Sequence, residues 1–177
     1  MARQCVRCSK SVADPIGQQK SGADVLNALA ASRLSAQRLE LEITEAVLMQ
    51  NTEATLKTLH QLRSLGIRIS MDDFGTGYSS LSYLRSFPFD KIKIDRCFIN
   101  GLGDSSESDA IVHAVAGLAM SLSMTTTAEG VETREQLDRV RELGCTDVQG
   151  YFYSLPVPLR ELVKILDKQP GDRVVAA

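Results

Sequence analysis

The chain has 177 residues, of which 44% are hydrophobic and 24% charged, and its formal net charge at pH 7 is −2. This composition predicts one folded domain with an apolar core, and the near-neutral charge argues against nucleic-acid binding. The apolar stretches are no longer than strands, which argues against a transmembrane helix, and the cysteines show no disulfide framework, which is typical of the reducing cytoplasm.

Residues 1–22 show no sustained periodicity and contain turn-forming residues, so we predict an irregular or disordered lead-in. Within it, Cys5 and Cys8 have the spacing of half a zinc site. A structural zinc ion needs a second pair of ligands, and the remaining cysteines, Cys97 and Cys145, each stand alone. An irregular segment is therefore the preferred interpretation, and a zinc site is the alternative.

Segments typical of strands and of helices alternate through the rest of the chain. The strand candidates are 39–43, 67–73, 91–95, 124–130 and 146–151, and the first three carry apolar residues at alternate positions. Helical spacing of apolar residues occupies 51–65, 107–122 and 133–143. Gly66 and Gly144 end two of these helices, and Thr133 with Gln136 forms a capping box. Strict alternation predicts an α/β fold with a parallel sheet covered by helices.

Polar side chains collect at the carboxyl ends of these strands. Glu42, Asp72 and Lys93 lie at the alternate positions of their strands, so each faces the side opposite to the apolar residues of its strand. Asp72 and Asp73 are the most informative pair, because adjacent carboxylates repel each other and a divalent cation is the usual compensation. A glycine-bracketed loop, 74–80, follows at once and is placed to close over a ligand. Functional groups at successive strand ends favour a (β/α) barrel over an open sheet.

Five sequence blocks follow one another in a fixed order. They are Glu42–Glu45 (EITE), Asp72–Ser80 (DDFGTGYSS), Lys91–Asp95 (KIKID), Ala128–Thr133 (AEGVET) and Gln149–Tyr151 (QGY). Together they resemble the EAL domain family, the bacterial cyclic di-GMP phosphodiesterases, over roughly residues 23–160. The resemblance implies a TIM-like barrel, hydrolysis of cyclic di-GMP to linear pGpG, and two Mg or Mn ions in the family's site.

The resemblance also implies a role for each site residue. Glu42, Asp72, Asp73 and Glu129 would bind metal, with Asp72 shared between the cations. Lys93 would contact the attacking water or the scissile phosphate, and Glu129 would assist as a second catalytic residue. Substrate or loop contacts would come from Glu45, Phe74, Gly75, Thr76, Gly77, Glu132 and Gln149. From the residues alone, Glu45 is equally a charge at a helix start, and Glu132 equally the beginning of the next helix.

The sequence departs from the family pattern at its N-terminal side. It has no Glu-Ala-Leu motif, and it lacks the strand-end Asn that binds metal in the family. Residues 1–22 are too few for the early strands, since one βαβ unit takes about 30 residues. We therefore expect a partial barrel of about five strand-helix units, with at most one well-held cation and impaired hydrolysis. Exposed sheet edges would favour a homo-oligomer or an unknown partner chain.

The expected organisation is a lead-in at 1–22, a truncated EAL domain at 23–165 and a frayed tail at 166–177. The sequence does not decide whether the chain is active. Two alternatives to an impaired phosphodiesterase stay open: a non-catalytic cyclic di-GMP signalling or dimerisation module, and a truncated product without function. Turnover of cyclic di-GMP separates the enzyme from both alternatives.

Overall fold

A computed structural model describes residues 22–50, 52–75, 84, 87–158 and 160–162. These residues group into two compact units, which divide between Asp90 and Lys91. Residues 1–21 of the predicted lead-in, which include Cys5 and Cys8, lie outside the described residues, as do the loop residues Thr76 and Gly77 and the predicted tail. Helices and parallel strands alternate in both units, which confirms the predicted α/β fold.

The first unit opens with helix α1 (Gly22–Ser32) and a short 3-10 helix (Ala36–Arg38). Strand β1 (Glu40–Thr44), helices α2 (Glu45–Gln50) and α3 (Thr52–Ser64), and strand β2 (Arg68–Phe74) follow. Both strands begin and end one residue later than their sequence pattern indicates. β1 and β2 pair in parallel, with Glu42 opposite Ser70 and Thr44 opposite Asp72. Glu42 and Asp72 therefore lie on one face, as their phase predicts.

Apolar side chains of β2 and of the segment before Asp90 form the core of the first unit. Ile69, Met71 and Phe87 are almost completely buried, and the rings of Phe87 and Phe89 meet edge to face with centroids 4.7 Å apart. Asp90 ties this segment to β2 twice: its carboxylate accepts the N–H of Ile69 at 2.9 Å, and its own N–H donates to the Ile69 carbonyl at 2.9 Å.

The second unit contains the remaining strands in parallel arrangement. Its elements are β3 (Lys91–Ile94), α4 (Arg96–Ile99), α5 (Ser106–Ser121), β4 (Thr125–Glu129), α6 (Arg134–Glu142) and β5 (Asp147–Gln149). β4 lies between β3 and β5, and Lys93, Thr127 and Asp147 form one cross-strand row. Ile92 and Ile94 are fully buried, and Lys93 between them is 3% exposed. Burial on both faces is typical of parallel strands.

Side chains cap the helix starts of the second unit. Thr133 and Gln136 form the expected capping box at the start of α6. The Asp95 carboxylate accepts the N–H of Cys97 at 2.9 Å and begins α4, and Ser105 caps α5. None of the helices in the described part of the chain is long and apolar enough to cross a membrane.

Candidate active site

Two neighbouring carboxylates lie at the end of β2. In a regular strand Asp72 and Asp73 would point to opposite faces. Asp73 instead has φ 53°, a left-handed conformation that costs a non-glycine residue about 1 kcal/mol or more. A carboxylate oxygen of Asp72 and one of Asp73 lie within 4.8 Å of each other. A strained backbone thus holds two like charges together, an arrangement that a bound cation stabilises.

The loop that follows these carboxylates begins at two residues, Phe74 and Gly75, whose conformation is well defined. Phe74 is 6% exposed and anchors the end of β2, and Gly75 has φ 93°, a conformation that glycine adopts without strain. Glu45 is buried as well and opens α2 directly at the end of β1. A helix start favours a carboxylate, so this location agrees with the helix-charge interpretation of Glu45 and is compatible with a role in bracing the loop.

A buried ion pair joins the ends of β3 and β4. The Lys93 ammonium lies 2.5 Å from a carboxylate oxygen of Glu129, and the Lys93 and Glu129 side chains are 4% and 17% exposed. Removing an ammonium from water costs several kcal/mol unless a partner compensates for it, and Glu129 supplies that partner. The structure therefore turns Lys93 inward, as its phase predicts, and brings it together with Glu129.

A second ion pair crosses the same face of the second unit. Lys91 on β3 lies 3.4 Å from Asp147 on β5, and both side chains are largely buried. Sequence reasoning did not assign a role to either residue, although Lys91 has the phase of Lys93. Gln149 stands beside Glu129 in the β4–β5 register, and its side-chain oxygen is buried with no hydrogen-bond partner among the described residues.

The loops after β4 and β5 interlock. Val131 is fully buried, its N–H donates to the Gln149 carbonyl at 3.1 Å, and its carbonyl accepts the N–H of Phe152 at 3.0 Å. The backbone of Glu132 contributes to the start of α6 by donating to the Gln136 side chain at 2.8 Å, while Glu132 itself is exposed. The helix-start interpretation accounts for Glu132, and its role in substrate binding stays a prediction.

A family model for the EAL domain matches residues 11–156. The chain belongs to the EAL domain family. It is 44% identical over 164 residues to the cyclic di-GMP phosphodiesterase NbdA of Pseudomonas aeruginosa, and the match covers 93% of this chain and 21% of NbdA. The family assignment confirms the resemblance that the ordered sequence blocks indicate, and this chain spans about a fifth of the length of that relative.

Solved EAL structures share the fold of this chain. The MucR phosphodiesterase of P. aeruginosa, in complex with c-di-GMP, is 44% identical with a TM-score of 0.75, covering 79% of this chain and 57% of that one. BlrP1 of Klebsiella pneumoniae, in a manganese and cyclic di-GMP complex, is 34% identical with a TM-score of 0.72, covering 76% and 34%. These neighbours confirm that the chain has the α/β fold of part of an EAL barrel.

Proposed function

We propose that this EAL chain supplies metal ligands and the catalytic lysine for hydrolysis of cyclic di-GMP to linear pGpG. The observation that carries the proposal is the buried Lys93–Glu129 ion pair at the carboxyl ends of β3 and β4. A buried ammonium next to a carboxylate is suited to neutralise the charge that grows on a phosphodiester during attack by water. The chain's likeness to NbdA and MucR supports the same substrate.

The proposed cations are Mg or Mn, bound by Glu42, Asp72, Asp73 and Glu129. Carboxylate oxygens are the ligands that these ions prefer, and oxygens on one such ion lie within about 4 Å of each other because each bond is about 2.1 Å long. The Asp72 and Asp73 oxygens lie within 4.8 Å of each other, so a small rotation of either side chain brings them to that spacing. A bound cation supplies Lewis-acid stabilisation of the phosphoryl charge, and the manganese complex of BlrP1 supports the assignment.

The remaining residues hold the reacting groups in place. Lys93 donates hydrogen bonds to the scissile phosphate or the attacking water, while Glu129 keeps the ammonium at the strand ends. Gln149, beside Glu129 in the sheet register, positions the same side of the substrate. Glu45 braces the loop that begins with Phe74 and Gly75, and Thr76, Gly77 and Glu132 complete the proposed substrate contacts.

The proposal also includes a location for the chain, the cytoplasm, and an assembly with a second copy or a partner chain. Cys97 and Cys145 are both free thiols, which supports the reducing cytoplasm. We also propose that the chain works beside a second copy or a partner chain, because strand edges invite pairing. Light scattering across a wide concentration range tests the assembly, and a monomer at every concentration would contradict it.

The test of catalysis compares the wild type with Lys93→Ala and with Lys57→Ala, which removes an exposed lysine on α3. Each protein is incubated with cyclic di-GMP and manganese, and linear pGpG is measured by chromatography. We expect product from the wild type and Lys57→Ala, and none from Lys93→Ala or in the presence of a chelator. Equal product from Lys93→Ala would overturn the proposal, and binding without product would favour the non-catalytic module.

A calorimetric titration tests the metal separately. Manganese is titrated into the wild type, into Asp73→Asn, and into Asp104→Asn, which removes an exposed carboxylate from a loop of the second unit. We expect binding heat from the wild type and from Asp104→Asn, and a large loss of heat from Asp73→Asn. If Asp73→Asn gave the same heat as the wild type, Asp73 would not be a ligand.

A further inference from the structure

The hydroxyl of Thr127 is a buried polar group in the middle of β4. Thr127 is 2% exposed, and its Oγ1 has no hydrogen-bond partner among the described residues. A buried hydroxyl without a partner costs free energy, because it has lost the hydrogen bonds that water gave it. A valine would fill nearly the same space without that cost, so the hydroxyl requires an explanation.

Thr127 lies between the two ion pairs of the second unit. It stands opposite Lys93 on one side and opposite Asp147 on the other. Lys93 reaches along the strand direction to Glu129 at 2.5 Å, and Lys91 reaches across β4 to Asp147 at 3.4 Å. Both lysines are paired with carboxylates and neither ion pair includes the hydroxyl, so a small neutral ligand suits the Thr127 hydroxyl.

A second unpartnered oxygen lies on the same face. Gln149 Oε1 is buried without a partner among the described residues, and Gln149 is two residues beyond Asp147, the register neighbour of Thr127. Diagonal neighbours on adjacent strands are separated by about 7 Å between backbones, and one bridging water spans about 5.5 Å between two oxygens. A water placed between Thr127 and Gln149 would satisfy both oxygens, because it both donates and accepts hydrogen bonds.

We propose that Thr127 is a positioning residue, and that its hydroxyl and the Gln149 side chain hold one ordered water between them. The bridge fixes the Gln149 amide beside Glu129 and so keeps the end of β5 in register with the Lys93–Glu129 pair. The effect of this bridge on hydrolysis rests on the proposed function. The water site does not, since it depends only on the two buried oxygens.

The first readout is structural and independent of activity. Crystal structures of the full chain are compared for the wild type, Thr127→Val and Thr127→Ser, with Thr125→Val as the control, because Thr125 is an exposed threonine on the same strand. We expect a water about 2.8 Å from Oγ1 in the wild type, in Thr127→Ser and in Thr125→Val. We expect no such water in Thr127→Val, nor in Gln149→Leu, which removes the other end of the bridge.

The second readout is kinetic. We expect kcat for cyclic di-GMP hydrolysis to fall about tenfold in Thr127→Val with little change in KM, and to recover in Thr127→Ser. A wild-type structure without the water, or Thr127→Val with wild-type kcat, would overturn the proposal. If the water is present and is lost in Thr127→Val while no variant hydrolyses the substrate, the proposed function fails and the water site stands.

Discussion

Gly150 lies directly against the backbone of Val131, so close that a Cβ on Gly150 would stand 2.0 Å from the Val131 carbonyl oxygen. The contact joins the loop after β5 to the loop after β4, and the hydrogen bonds between Val131, Gln149 and Phe152 surround it. Glu129 and Gln149 precede these loops immediately. The close approach therefore fixes the positions of two proposed site residues through the backbone alone.

We expect Gly150→Ala to destabilise the protein strongly. The added methyl group meets backbone atoms that cannot rotate away, and overpacking of this kind lowers the free energy of unfolding by about 1–3 kcal/mol or more. Gly117→Ala is the matched control, because a Cβ on Gly117, inside α5, would meet no atom within 4 Å, and alanine there should add about 0.5–1 kcal/mol. Urea denaturation measures both, and equal midpoints would contradict the close approach.

The free-energy cost of the left-handed backbone at Asp73 can be measured by comparing alanine and asparagine at that position. Both substitutions remove the charge, but asparagine tolerates φ 53° and alanine does not. We expect Asp73→Asn to be more stable than Asp73→Ala by about 1 kcal/mol. Thermal melting in a chelator, which removes any contribution from metal, measures the difference. Identical melting temperatures would show that the conformation relaxes in the variants.

Asp109 links α5 to α6 and should make stability depend on pH. Its carboxylate accepts the Arg139 Nε–H at 2.9 Å and the Gly103 N–H at 3.3 Å. The Arg139 hydrogen bond is the main reason that the pKa of Asp109 lies below its usual value of 3.8. A carboxyl group whose pKa is lowered by folding stabilises the folded state above the unfolded pKa, and that contribution disappears as the pH falls through the folded pKa.

The variant Asp109→Asn should therefore be less stable than the wild type at neutral pH, and this difference in stability should narrow as the pH falls below 3.8. Urea denaturation at several pH values measures the difference, with Asp104→Asn as an exposed control that has little effect at any pH. A difference that stays constant with pH would show that the Asp109 carboxylate gains no charge-dependent stabilisation.

Cys97 should react slowly although it is exposed. Partial burial and the hydrogen bond to Asp95 raise the pKa of the Cys97 thiol to about 11, so little thiolate is present at neutral pH. We expect alkylation at mildly alkaline pH to be about ten times slower than for a free cysteine, since the loss of thiolate outweighs its higher nucleophilicity. Mass spectrometry of the labelled peptide measures the rate.

The Asp95→Asn variant tests the cause. Asparagine still caps α4 but carries no negative charge, so Cys97 labelling should accelerate while Cys145 is unaffected. Burial raises the pKa of the Cys145 thiol to about 11. Because Asp95 has no part in that shift, Cys145 serves as an internal reference. An unchanged Cys97 rate would assign the raised pKa to burial.

The strands, and the face to which their side chains point, were predictable because alternation along a strand depends only on neighbouring residues. The pattern located β1 and β2 to within one residue, and it predicted that Glu42 and Asp72 share a face. The capping box at Thr133 was equally local and is present. A helix start at Glu45 was one interpretation of that residue, but the extent of α2 was not predicted, because Glu45 follows β1 directly and no turn signal separates a strand from a helix there.

The candidate site was less predictable where it depends on pairing between strands. The phase of Lys93 indicated an inward lysine, but its pairing with Glu129 follows from a register that only the folded sheet defines. The same limit hid the Lys91–Asp147 pair and the buried Thr127 hydroxyl. Gly150 was visible only as part of a motif, since the closeness of the Val131 backbone cannot be read from neighbouring residues.

The Lys91–Asp147 pair has a consequence for the order of folding. The two residues belong to β3 and β5, and β4 lies between them. The pair cannot form until β4 has been inserted, so it belongs among the last native contacts of the second unit. Removing it with Lys91→Met should accelerate unfolding and leave the refolding rate almost unchanged, which stopped-flow measurements would detect. The pair would then slow the unfolding of the second unit once its sheet is complete.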